Sequence, residues 1–455
     1  MQKYFLGIIL LLSSCSTYQT AYQRLAREGL LVQPLNRWPE TQFVHLTDVH
    51  IFPAEWASGA TYQKYIDDDP KLLKESQEIF LTALEKIKAQ RPKFILISGD
   101  LTKDGEIASH EWLAQRLEEL RIMGISTYVV PGNHDLNNPD AVRYYDNRTE
   151  RVSTASPEDF AHIYANFGYS TALERDPASL SYLAEPVPGL WLLALDSCVY
   201  ETNFRDNTPY TGGFLRQQTV SWLEKVLLQA QKQNKAVIAM LHHPPNEQFK
   251  NRERYMKDFV LQHHREITQL LSRYGVSLIF SGHTHSQDIT VLKYPEGFPV
   301  YSVVTGSPVS FPNSYRLVSL TPERATIESY FIKNIPSFQA RGISFWDVSR
   351  QFGLEGVVKI VTKTLSRFGV GREESDTISQ QVAQAFLAFW TGDEKFTGTE
   401  KVKSQGLSFM AWVVVSMSRD LVDQLWQDLE PVDNHIIIHS NGEWMPHGLA
   451  QAYLP

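Results

Sequence analysis

Cysteine is nearly missing from this 455-residue sequence, which has only Cys15 and Cys198. Two cysteines cannot build a disulfide framework, and they offer too few thiolates for a cysteine-rich metal site. Cys198 follows the apolar run Leu192–Leu195, which predicts a buried packing residue rather than a nucleophile. The fold is therefore expected to be held by its apolar core and not by crosslinks.

Low-complexity tracts, internal repeats and long runs of one charge are also lacking. Hydrophobic residues make up 43% of the chain and charged residues 21%, values that are typical of a globular protein. The length allows two domains, or one large domain with an appendage. The formal net charge of −8 argues against binding to a nucleic-acid polymer, because a phosphate backbone would be repelled on average.

The N-terminus has the features of a bacterial export signal. Lys3 precedes the apolar run Phe5–Leu12, which is shorter than the roughly 20 residues needed to span a bilayer. Leu12-Ser13-Ser14-Cys15 resembles a lipobox, in which the cysteine is lipidated. We predict a lipoprotein signal peptide over residues 1–14, lipidation of Cys15 and a tether over 15–40. The protein would then be exported and lipid-anchored to the cell envelope, in the outer membrane or periplasm of a Gram-negative source. An ordinary signal peptide that happens to contain a cysteine is the alternative.

Short apolar runs alternate with amphipathic helical patterns after residue 40. We predict strands near 43–47, 94–97, 127–130, 191–195, 236–241 and 277–280, and helices near 70–90, 106–122, 215–233 and 257–273. The alternation favours an α/β fold with a largely parallel sheet. The runs 300–305, 316–320 and 325–332 are interpreted as consecutive antiparallel strands. We place one domain at 41–335, with the loop-rich stretch 136–188 as a candidate lid or specificity wall. Residues 336–455 would form a mainly helical C-terminal region packed against that domain.

Five short polar motifs each follow directly after an apolar, strand-like run. They are Asp48-Val49-His50, Gly99-Asp100, Gly132-Asn133-His134-Asp135, His242-His243-Pro244-Pro245 and Gly282-His283-Thr284-His285. In open α/β sheets, functional groups gather beyond the carboxyl ends of the strands, so the five motifs are expected to converge on one crevice. Any one motif alone is more often a turn or a core residue than a metal site, but coincidence is a poor explanation for all five.

Carboxylate, imidazole and amide side chains are suited to transition-metal ions such as manganese, iron or zinc. Side chains two residues apart on an extended segment point the same way, so Asp48 with His50, and His283 with His285, could each reach one pocket. Asp100 has two oxygens and could bridge two ions. Gly99, Gly132 and Gly282 permit tight turns and a close backbone approach.

The ordered set of motifs resembles the calcineurin-like metallophosphoesterase superfamily over residues 41–335. The resemblance implies a four-layer α/β/β/α sandwich with a dinuclear site at one edge, holding two divalent or trivalent ions. It implies that the first metal is held by Asp48, His50 and His285, the second by Asn133, His242 and His283, and that Asp100 bridges them. Gly99-Asp100-Leu101-Thr102 and a motif that ends in Asp135 are more similar to the cyclic-nucleotide phosphodiesterase-like branch than to the protein serine/threonine phosphatases.

Such a site would cleave phosphate esters. Two ions roughly 3.5–4 Å apart lower the pKa of a bridging water and hold the phosphoryl oxygens, so that the resulting hydroxide attacks phosphorus. Two divalent ions bring about +4, and Asp48, Asp100 and the hydroxide remove about three, so the pocket favours an anionic substrate. We predict hydrolysis of phosphodiesters or phosphomonoesters, with cyclic nucleotides as candidates. The alternatives are a pyrophosphatase acting on nucleotide- or lipid-linked phosphates, and a catalytically inactive surface binding lipoprotein.

The remaining site predictions leave alternatives open. Asp100 and His134 are the predicted catalytic residues; His134 would stabilise or protonate the leaving oxygen, oriented by either Asp104 or Asp135. His243 either contacts substrate or packs at the bend made by Pro244 and Pro245. Asn137 either lines the pocket mouth or forms a turn before Pro139.

Overall fold

The computed structural model describes residues 37–395, 397, 401–402 and 406–447. The predicted signal peptide and the lipidation site Cys15 lie outside these residues, as does the predicted tether up to residue 36. None of the helices in the described ranges is both long and apolar enough to cross a bilayer.

The described strands build two seven-stranded sheets and one two-stranded ribbon. In chain order they are β1 (Thr41–Leu46), β2 (Phe94–Ser98), β3 (Ser126–Val130), β4 (Val142–Tyr144), β5 (Thr149–Arg151), β6 (Glu174–Arg175), β7 (Tyr182–Val187), β8 (Leu190–Leu195), β9 (Ala236–Leu241), β10 (Leu278–Ser281), β11 (Asp288–Leu292), β12 (Val300–Val304), β13 (Ser314–Leu320), β14 (Arg324–Phe331), β15 (His435–His439) and β16 (Trp444–Pro446). The first sheet has the order β16-β15-β14-β13-β1-β2-β3, the second has the order β11-β12-β10-β9-β8-β7-β6, and β4 pairs with β5.

The described α-helices flank the sheets or belong to the C-terminal region. In chain order they are α1 (Gly59–Asp68), α2 (Ser76–Gln90), α3 (Ile107–Ile122), α4 (Pro157–Ile163), α5 (Asn203–Asp206), α6 (Gln217–Lys232), α7 (Arg252–Tyr255), α8 (His264–Arg273), α9 (Pro336–Gln339), α10 (Phe345–Arg367), α11 (Arg372–Thr391) and α12 (Phe409–Gln424). Two predicted helices begin later than expected, because 70–75 is mostly irregular and a 3-10 turn at Lys257–Phe259 precedes α8.

The side-chain alternation of β9 defines the layers. Ile238 and Met240 lie in the core between the sheets, whereas Val237 and Leu241 lie in a second core with residues of α6 and α8. Successive side chains of a strand point to opposite faces, so both faces of this sheet are covered. Helices α2 and α3 cover the first sheet in the same way. The predicted four-layer α/β/β/α arrangement is therefore confirmed.

The sheets are mixed, and one predicted group of strands was wrong. β1, β2 and β3 are parallel, as are β8, β9, β10 and β12. β12 lies in the second sheet, whereas β13 and β14 pair antiparallel in the first. The three runs therefore do not form one antiparallel group, because residues 305–313 carry the chain from one sheet to the other. Local apolar patterns identify a strand but not its partner.

The C-terminal region is helical over most of its described length, and the chain then returns to the first sheet. Helices α10, α11 and α12 share apolar cores with one another. β15 then pairs antiparallel with β14, with Ile438 opposite Ala325. This return was not predicted, and it makes the C-terminal segment part of the first sheet.

Candidate metal centre

The seven predicted ligands lie beyond the carboxyl ends of five parallel strands. Asp48 and His50 follow β1, Asp100 follows β2, Asn133 follows β3, His242 follows β9, and His283 and His285 follow β10. Because β1–β3 and β9–β10 belong to the two facing sheets, their ends meet along one edge of the sandwich. The structure brings all seven side chains together there, in two clusters.

The first cluster contains Asp48, His50 and His285. The Nε2 atoms of His50 and His285 lie 3.2 Å apart, and His285 Nε2 lies 3.3 Å from Asp48 Oδ1. Ligand atoms that share a tetrahedral zinc-like ion at about 2.0–2.1 Å are separated by about 3.4 Å. The spacing of this cluster therefore fits a common ion.

The second cluster contains Asp100, His242 and His283, with Asn133 beside them. His242 Nε2 lies 3.2 Å from His283 Nδ1, 3.4 Å from Asp100 Oδ2 and 3.1 Å from Asn133 Oδ1. These three distances from His242 Nε2 match those within the first cluster, so a second ion fits here.

Asp100 connects the two clusters. Its Oδ2 atom lies 3.7 Å from His50 Nε2 and 3.4 Å from His242 Nε2, while Oδ1 accepts the backbone N–H of His134 at 3.0 Å. Burial by itself would raise the pKa of this carboxyl, but His242 and His134 outweigh it and hold the pKa well below its usual value. An ionised carboxylate between two nitrogen-rich clusters is a suitable bridge.

The outward nitrogen atoms of three ligand histidines are engaged. His242 Nδ1 lies 2.9 Å from the Ser98 carbonyl, His283 Nε2 lies 3.0 Å from the Asp258 carbonyl, and His285 Nδ1 lies 2.9 Å from Ser310 Oγ. A carbonyl accepts only an N–H, so in the neutral ring the facing nitrogen of His242 and of His283 carries the lone pair that a metal needs. These bonds orient the rings for metal coordination.

Asp48 supplies the test of whether a cation fits. Its Oδ2 accepts hydrogen bonds from Thr47 Oγ1 at 2.6 Å and from the His283 backbone N–H at 2.9 Å. Its Oδ1 faces His285 Nε2 at 3.3 Å and is buried with no hydrogen-bond partner among the residues that the structure describes. A buried, unpaired carboxylate oxygen is costly, and a bound cation would remove that cost.

The backbone of the ligand loops differs from the prediction. Asp48, His50, Asp100, His283 and His285 all have left-handed φ values, between 40° and 70°. The paired ligands are therefore not on extended segments, and that reason for their convergence was wrong. Such conformations cost on the order of 1–3 kcal/mol each and persist where the surroundings enforce them, which is typical of functional sites.

Two glycines allow the loops to approach the ligand side chains. A Cβ atom on Gly132 would lie 2.2 Å from Asp100 Oδ1, and one on Gly282 would lie 2.2 Å from Asp48 Oδ2. Any larger residue at either position would displace a ligand carboxylate. The close approach predicted for these glycines is thus made to neighbouring ligand loops.

His134 faces the centre from beside Asp100. Its Nδ1 lies 2.8 Å from Asp104 Oδ1, and its Nε2 lies 4.0 Å from Asp100 Oδ2. Burial alone would lower the pKa of His134, but the two carboxylates outweigh it and raise the pKa above its ordinary value. The two carboxylates thus favour the protonated form of the ring, whose Nε2 faces the crevice.

Asp104, and not Asp135, is the partner of His134. Asp135 instead accepts backbone N–H bonds from Leu101, Thr102 and Gly132 at 2.8–3.0 Å. It therefore holds the loop of Asp100 and the loop of Asn133 together.

Lys103 is a residue of the site that sequence reasoning missed. Its buried ammonium pairs with Asp104 and lies 4.6 Å from the centroid of the Tyr65 ring. Asn138 Nδ2 also donates to Asp104 Oδ1, at 3.2 Å. Lys103 stands next to Asp104 in the motif, but only the fold shows that both Lys103 and Asn138 hold the carboxylate that orients His134.

For His243 and Asn137 the structure favours the packing and turn alternatives. His243 is buried, with Nδ1 2.8 Å from Ser197 Oγ and Nε2 2.9 Å from the Thr211 carbonyl. Burial and the charge of His242 lower its pKa to about 3, so the ring is neutral. It therefore has no free nitrogen for substrate. Asn137 adopts a left-handed φ of 48° in a turn.

A cavity of about 100 Å³ adjoins His285. It is walled by Lys71, Phe311 and side chains of α10 and α11, including Phe352 and Trp390. The Lys71 ammonium is buried, lies 2.8 Å from Asp69 Oδ2, and acts electrostatically on His50 and His134. No lining residue falls within 136–188, so the wall that adjoins this cavity comes partly from the C-terminal helices.

Comparison with known proteins matches this chain to one family. The family model described as calcineurin-like phosphoesterase matches residues 41–287, more than half of the chain. A probable cyclic nucleotide phosphodiesterase from Moraxella catarrhalis is 24% identical over 212 residues, covering 46% of this chain and 64% of the relative. A 3',5'-cyclic-nucleotide phosphodiesterase from Nostoc sp. is 25% identical over 213 residues, covering 46% and 63%. The chain thus matches under two thirds of the length of each relative.

Two solved phosphatase structures are similar to this chain at low sequence identity. A dimetal phosphatase from Danio rerio aligns with a TM-score of 0.47 and 16% identity, covering 65% of this chain and 97% of that one. A purple acid phosphatase from yellow lupin seeds aligns with a TM-score of 0.41 and 13% identity, covering 66% and 52%.

Proposed function

The chain belongs to the calcineurin-like phosphoesterase family, and from that premise we propose that it hydrolyses phosphate esters at a dinuclear metal centre. The observation that carries the proposal is the position of Asp100, whose Oδ2 lies within 3.7 Å of a histidine nitrogen from each ligand cluster. A single carboxylate shared by two sets of ligands is the arrangement that holds two ions close together.

The residues present suit manganese, iron or zinc. Asp48, His50 and His285 would hold one ion, Asn133, His242 and His283 the other, and Asp100 both. Two such ions supply Lewis acidity, a more acidic coordinated water and positive charge for phosphoryl oxygens. Mixed carboxylate, imidazole and amide ligands do not choose among these metals, so elemental analysis of active protein is needed to identify them.

His134 is proposed to act on the leaving group. Its Nε2 faces the crevice, and its Nδ1 is held by Asp104 at 2.8 Å. Because both neighbouring carboxylates favour the protonated ring, Nε2 can donate a proton or hydrogen bond to the departing oxygen. This assistance matters most for esters with poor leaving groups, such as a sugar hydroxyl.

A phosphodiester is the favoured substrate, with cyclic nucleotides as the first candidates. The cavity beside His285 is lined by the Lys71 ammonium, which is paired with Asp69 of the same wall, and by the aromatic side chains of Phe311, Phe352 and Trp390. An anionic group with an aromatic ring attached, as in a nucleotide, matches both features. The names of the two relatives point in the same direction. Pyrophosphates linked to nucleotides or lipids, and an inactive binding protein, are the other outcomes of the test.

The test is a substrate panel with and without added manganese. Bis-nitrophenyl phosphate, mononitrophenyl phosphate, cyclic nucleotides and a nucleotide-linked pyrophosphate would be compared for wild type, Asp100→Asn and the exposed control Asp376→Asn. We expect diester cleavage by wild type and the control, and none by Asp100→Asn. Cleavage of the monoester alone would reject the diesterase, preferred cleavage of the pyrophosphate would favour the alternative, and full turnover by Asp100→Asn would reject the dinuclear centre.

The protein is also proposed to be exported and anchored to the cell envelope through Cys15. The support is the cationic, apolar and small-residue pattern that precedes this cysteine. Cys198 is buried, with Sγ 3.3 Å from the Pro131 carbonyl, and it serves as a matched control. Cys15→Ala should abolish incorporation of labelled fatty acid and release the protein from membranes, whereas Cys198→Ala should change neither. Membrane retention of Cys15→Ala would reject this anchor.

A further inference from the structure

Acidic side chains gather where the C-terminal region rejoins the catalytic sheets. We call this group the acidic cluster; its members are Asp288, Asp393, Glu394, Asp428 and Asp433. Asp393, Asp428 and Asp433 each offer a carboxylate oxygen, and these atoms lie within 4.8 Å of one another. Asp288 is the first residue of β11 and Asp393 follows α11, so the cluster joins the second sheet to the C-terminal helices.

Backbone hydrogen bonds hold two of the carboxylates in place. The Asp433 N–H donates to Asp393 Oδ1 at 2.9 Å, and the Asp393 N–H donates to Asp433 Oδ2 at 2.7 Å. Asp433 Oδ1 also accepts the Ile289 N–H at 2.6 Å. Asp393 has a left-handed φ of 60°, which the reciprocal bonds enforce. The side chains are therefore oriented by the fold rather than by solvent.

Oxygen atoms without partners give a second, independent indication of a ligand. Asp288 is only 5% exposed, and its buried Oδ1 has no hydrogen-bond partner in the part of the chain that the structure describes. Asp428 Oδ1 and Asn434 Oδ1 are also buried and have no hydrogen-bond partner among the described residues. Asn434 Nδ2 donates to Thr391 O and to Asp393 Oδ2, both at 2.9 Å. These two bonds identify the nitrogen end of the amide, so the atom that is left to bind a ligand is the oxygen. At the dinuclear centre, Asp48 Oδ1 is likewise a buried carboxylate oxygen without a hydrogen-bond partner among the described residues.

Among the groups that the structure shows acting on Asp288 and Asp433, the charges do not balance. Two guanidinium groups, Arg252 and Arg316, act on Asp288 from a distance, and Arg316 Nη1 donates to the Asp433 carbonyl rather than to a carboxylate. Five carboxylates and two guanidinium groups would leave a net charge of −3. Burial and mutual repulsion raise the pKa of Asp288 and of Asp433 well above the ordinary value, and that of Asp428 to about 7. Buried charge of one sign requires a counter-ion or protons.

We propose that the acidic cluster binds one calcium ion. The available donors are all oxygen atoms from carboxylates and an amide, and calcium takes six to eight such ligands. Nitrogen and sulfur donors, which the transition metals favour, are absent from the described members of the cluster. The ion would tie the C-terminal region to β11, which begins three residues after the metal ligand His285. This site is separate from the dinuclear centre and does not depend on the proposed hydrolysis.

The experiment uses the full chain with its dinuclear centre loaded with manganese. Calcium chloride would be titrated by isothermal calorimetry, and the Tm would be recorded with and without calcium. Asp428→Asn is the first variant, because Asp428 Oδ1 has no hydrogen-bond partner among the described residues, whereas Asp393 and Asp433 accept backbone N–H bonds. Asp288→Asn is the second variant, should Asp428→Asn fail to fold. Asp376→Asn, an exposed carboxyl on α11, is the matched control.

Wild type and Asp376→Asn should each take up one calcium ion and gain Tm on doing so. Asp428→Asn and Asp288→Asn should bind calcium at least tenfold more weakly, with no loss of Tm in calcium-free buffer. Asp100→Asn should keep full calcium binding, which separates this site from the dinuclear centre. The absence of calcium uptake by wild type up to about 5 mM, beyond the usual range for extracellular sites, would overturn the proposal. Equal affinities of wild type, Asp428→Asn and Asp288→Asn would overturn it as well.

Discussion

His134 Nδ1 lies 2.8 Å from Asp104 Oδ1, and this carboxylate also pairs with the buried Lys103. Because Lys103 keeps Asp104 ionised, Asp104 can hold a proton on the far side of the imidazole ring. With the Nδ1 proton held by Asp104, the Nε2 atom faces the dinuclear centre and is a donor in the protonated ring, the form that Asp100 and Asp104 favour. Lys103, Asp104 and His134 thus form a chain of interactions that directs the Nε2 proton of His134 towards the position of a leaving oxygen.

Replacing His134 should affect substrates according to their leaving groups. His134→Ala should lower kcat for esters with an alkoxide leaving group by about 10²–10⁴-fold, the usual contribution of general acid catalysis. Nitrophenyl esters should lose much less, because nitrophenolate departs without a proton. Rates measured across esters of graded leaving-group pKa would test this.

Asp104→Asn and His162→Ala complete that series. Asp104→Asn should show the same leaving-group dependence with a smaller loss, because the ring remains but its charged partner is gone. His162 is exposed on the surface, and His162→Ala should leave all rates unchanged. A uniform loss across leaving groups for His134→Ala would mean that the ring binds substrate and does not assist departure.

Gly132→Ala should remove metal from the centre. The added Cβ would lie 2.1 Å from the Asp100 backbone nitrogen and 2.2 Å from Oδ1, so the bridging carboxylate must move. Elemental analysis should find less than the wild-type metal content, together with a large loss of activity. Gly371→Ala is the control, because its nearest atom would be 3.8 Å away at an ordinary φ of −62°. Full metal content in Gly132→Ala would show that Asp100 can shift without losing its ions.

The sequence predicted which residues meet at the site because each of them follows a strand. Each strand can be recognised from its own run of apolar residues, without knowledge of distant contacts. It could not predict how the loops turn. The left-handed conformations of Asp48 and His50 come with bonds from their backbone N–H groups to the carbonyls of Gly99 and Asp100, at 2.9 and 3.0 Å. Those carbonyls belong to a different loop, so the conformation depends on tertiary contact.

The same limit explains the missed residues. Lys103 was missed altogether, and Asn138 was predicted only to line the pocket mouth or to form a turn, because only the fold brings both to Asp104. Lys71 carries no motif, and its segment is held beside His285 by a distant part of the chain, through the bond from the Leu72 N–H to the Val309 carbonyl at 2.8 Å. Sequence reasoning therefore reached the ligand set but not the groups that orient it or wall the crevice.

Lys71→Met should weaken substrate binding. The buried ammonium lines the cavity beside His285, and losing a charged contact to an anion costs about 1.5–3 kcal/mol, so KM should rise by about tenfold or more. Tyr65 would still donate to Asp69 Oδ2 at 3.0 Å, which limits damage to the fold. Steady-state kinetics at low ionic strength would show the change, with Lys64→Met, an exposed lysine on α1, as the control. An unchanged KM would mean that Lys71 serves only its ion pair with Asp69.

Ile436→Ala should destabilise the catalytic domain although the residue lies in the C-terminal segment. Ile436 and Ile438 of β15 are fully buried in the main core, on the same face of the first sheet. Truncating a buried isoleucine in this way costs about 2–5 kcal/mol. Ile437 points to the other face and lies outside that core, so Ile437→Ala should cost less. Chemical denaturation followed by fluorescence should show one transition whose midpoint falls in Ile436→Ala. Two separate transitions, with only one of them shifted, would show instead that β15 and the catalytic sheet unfold independently.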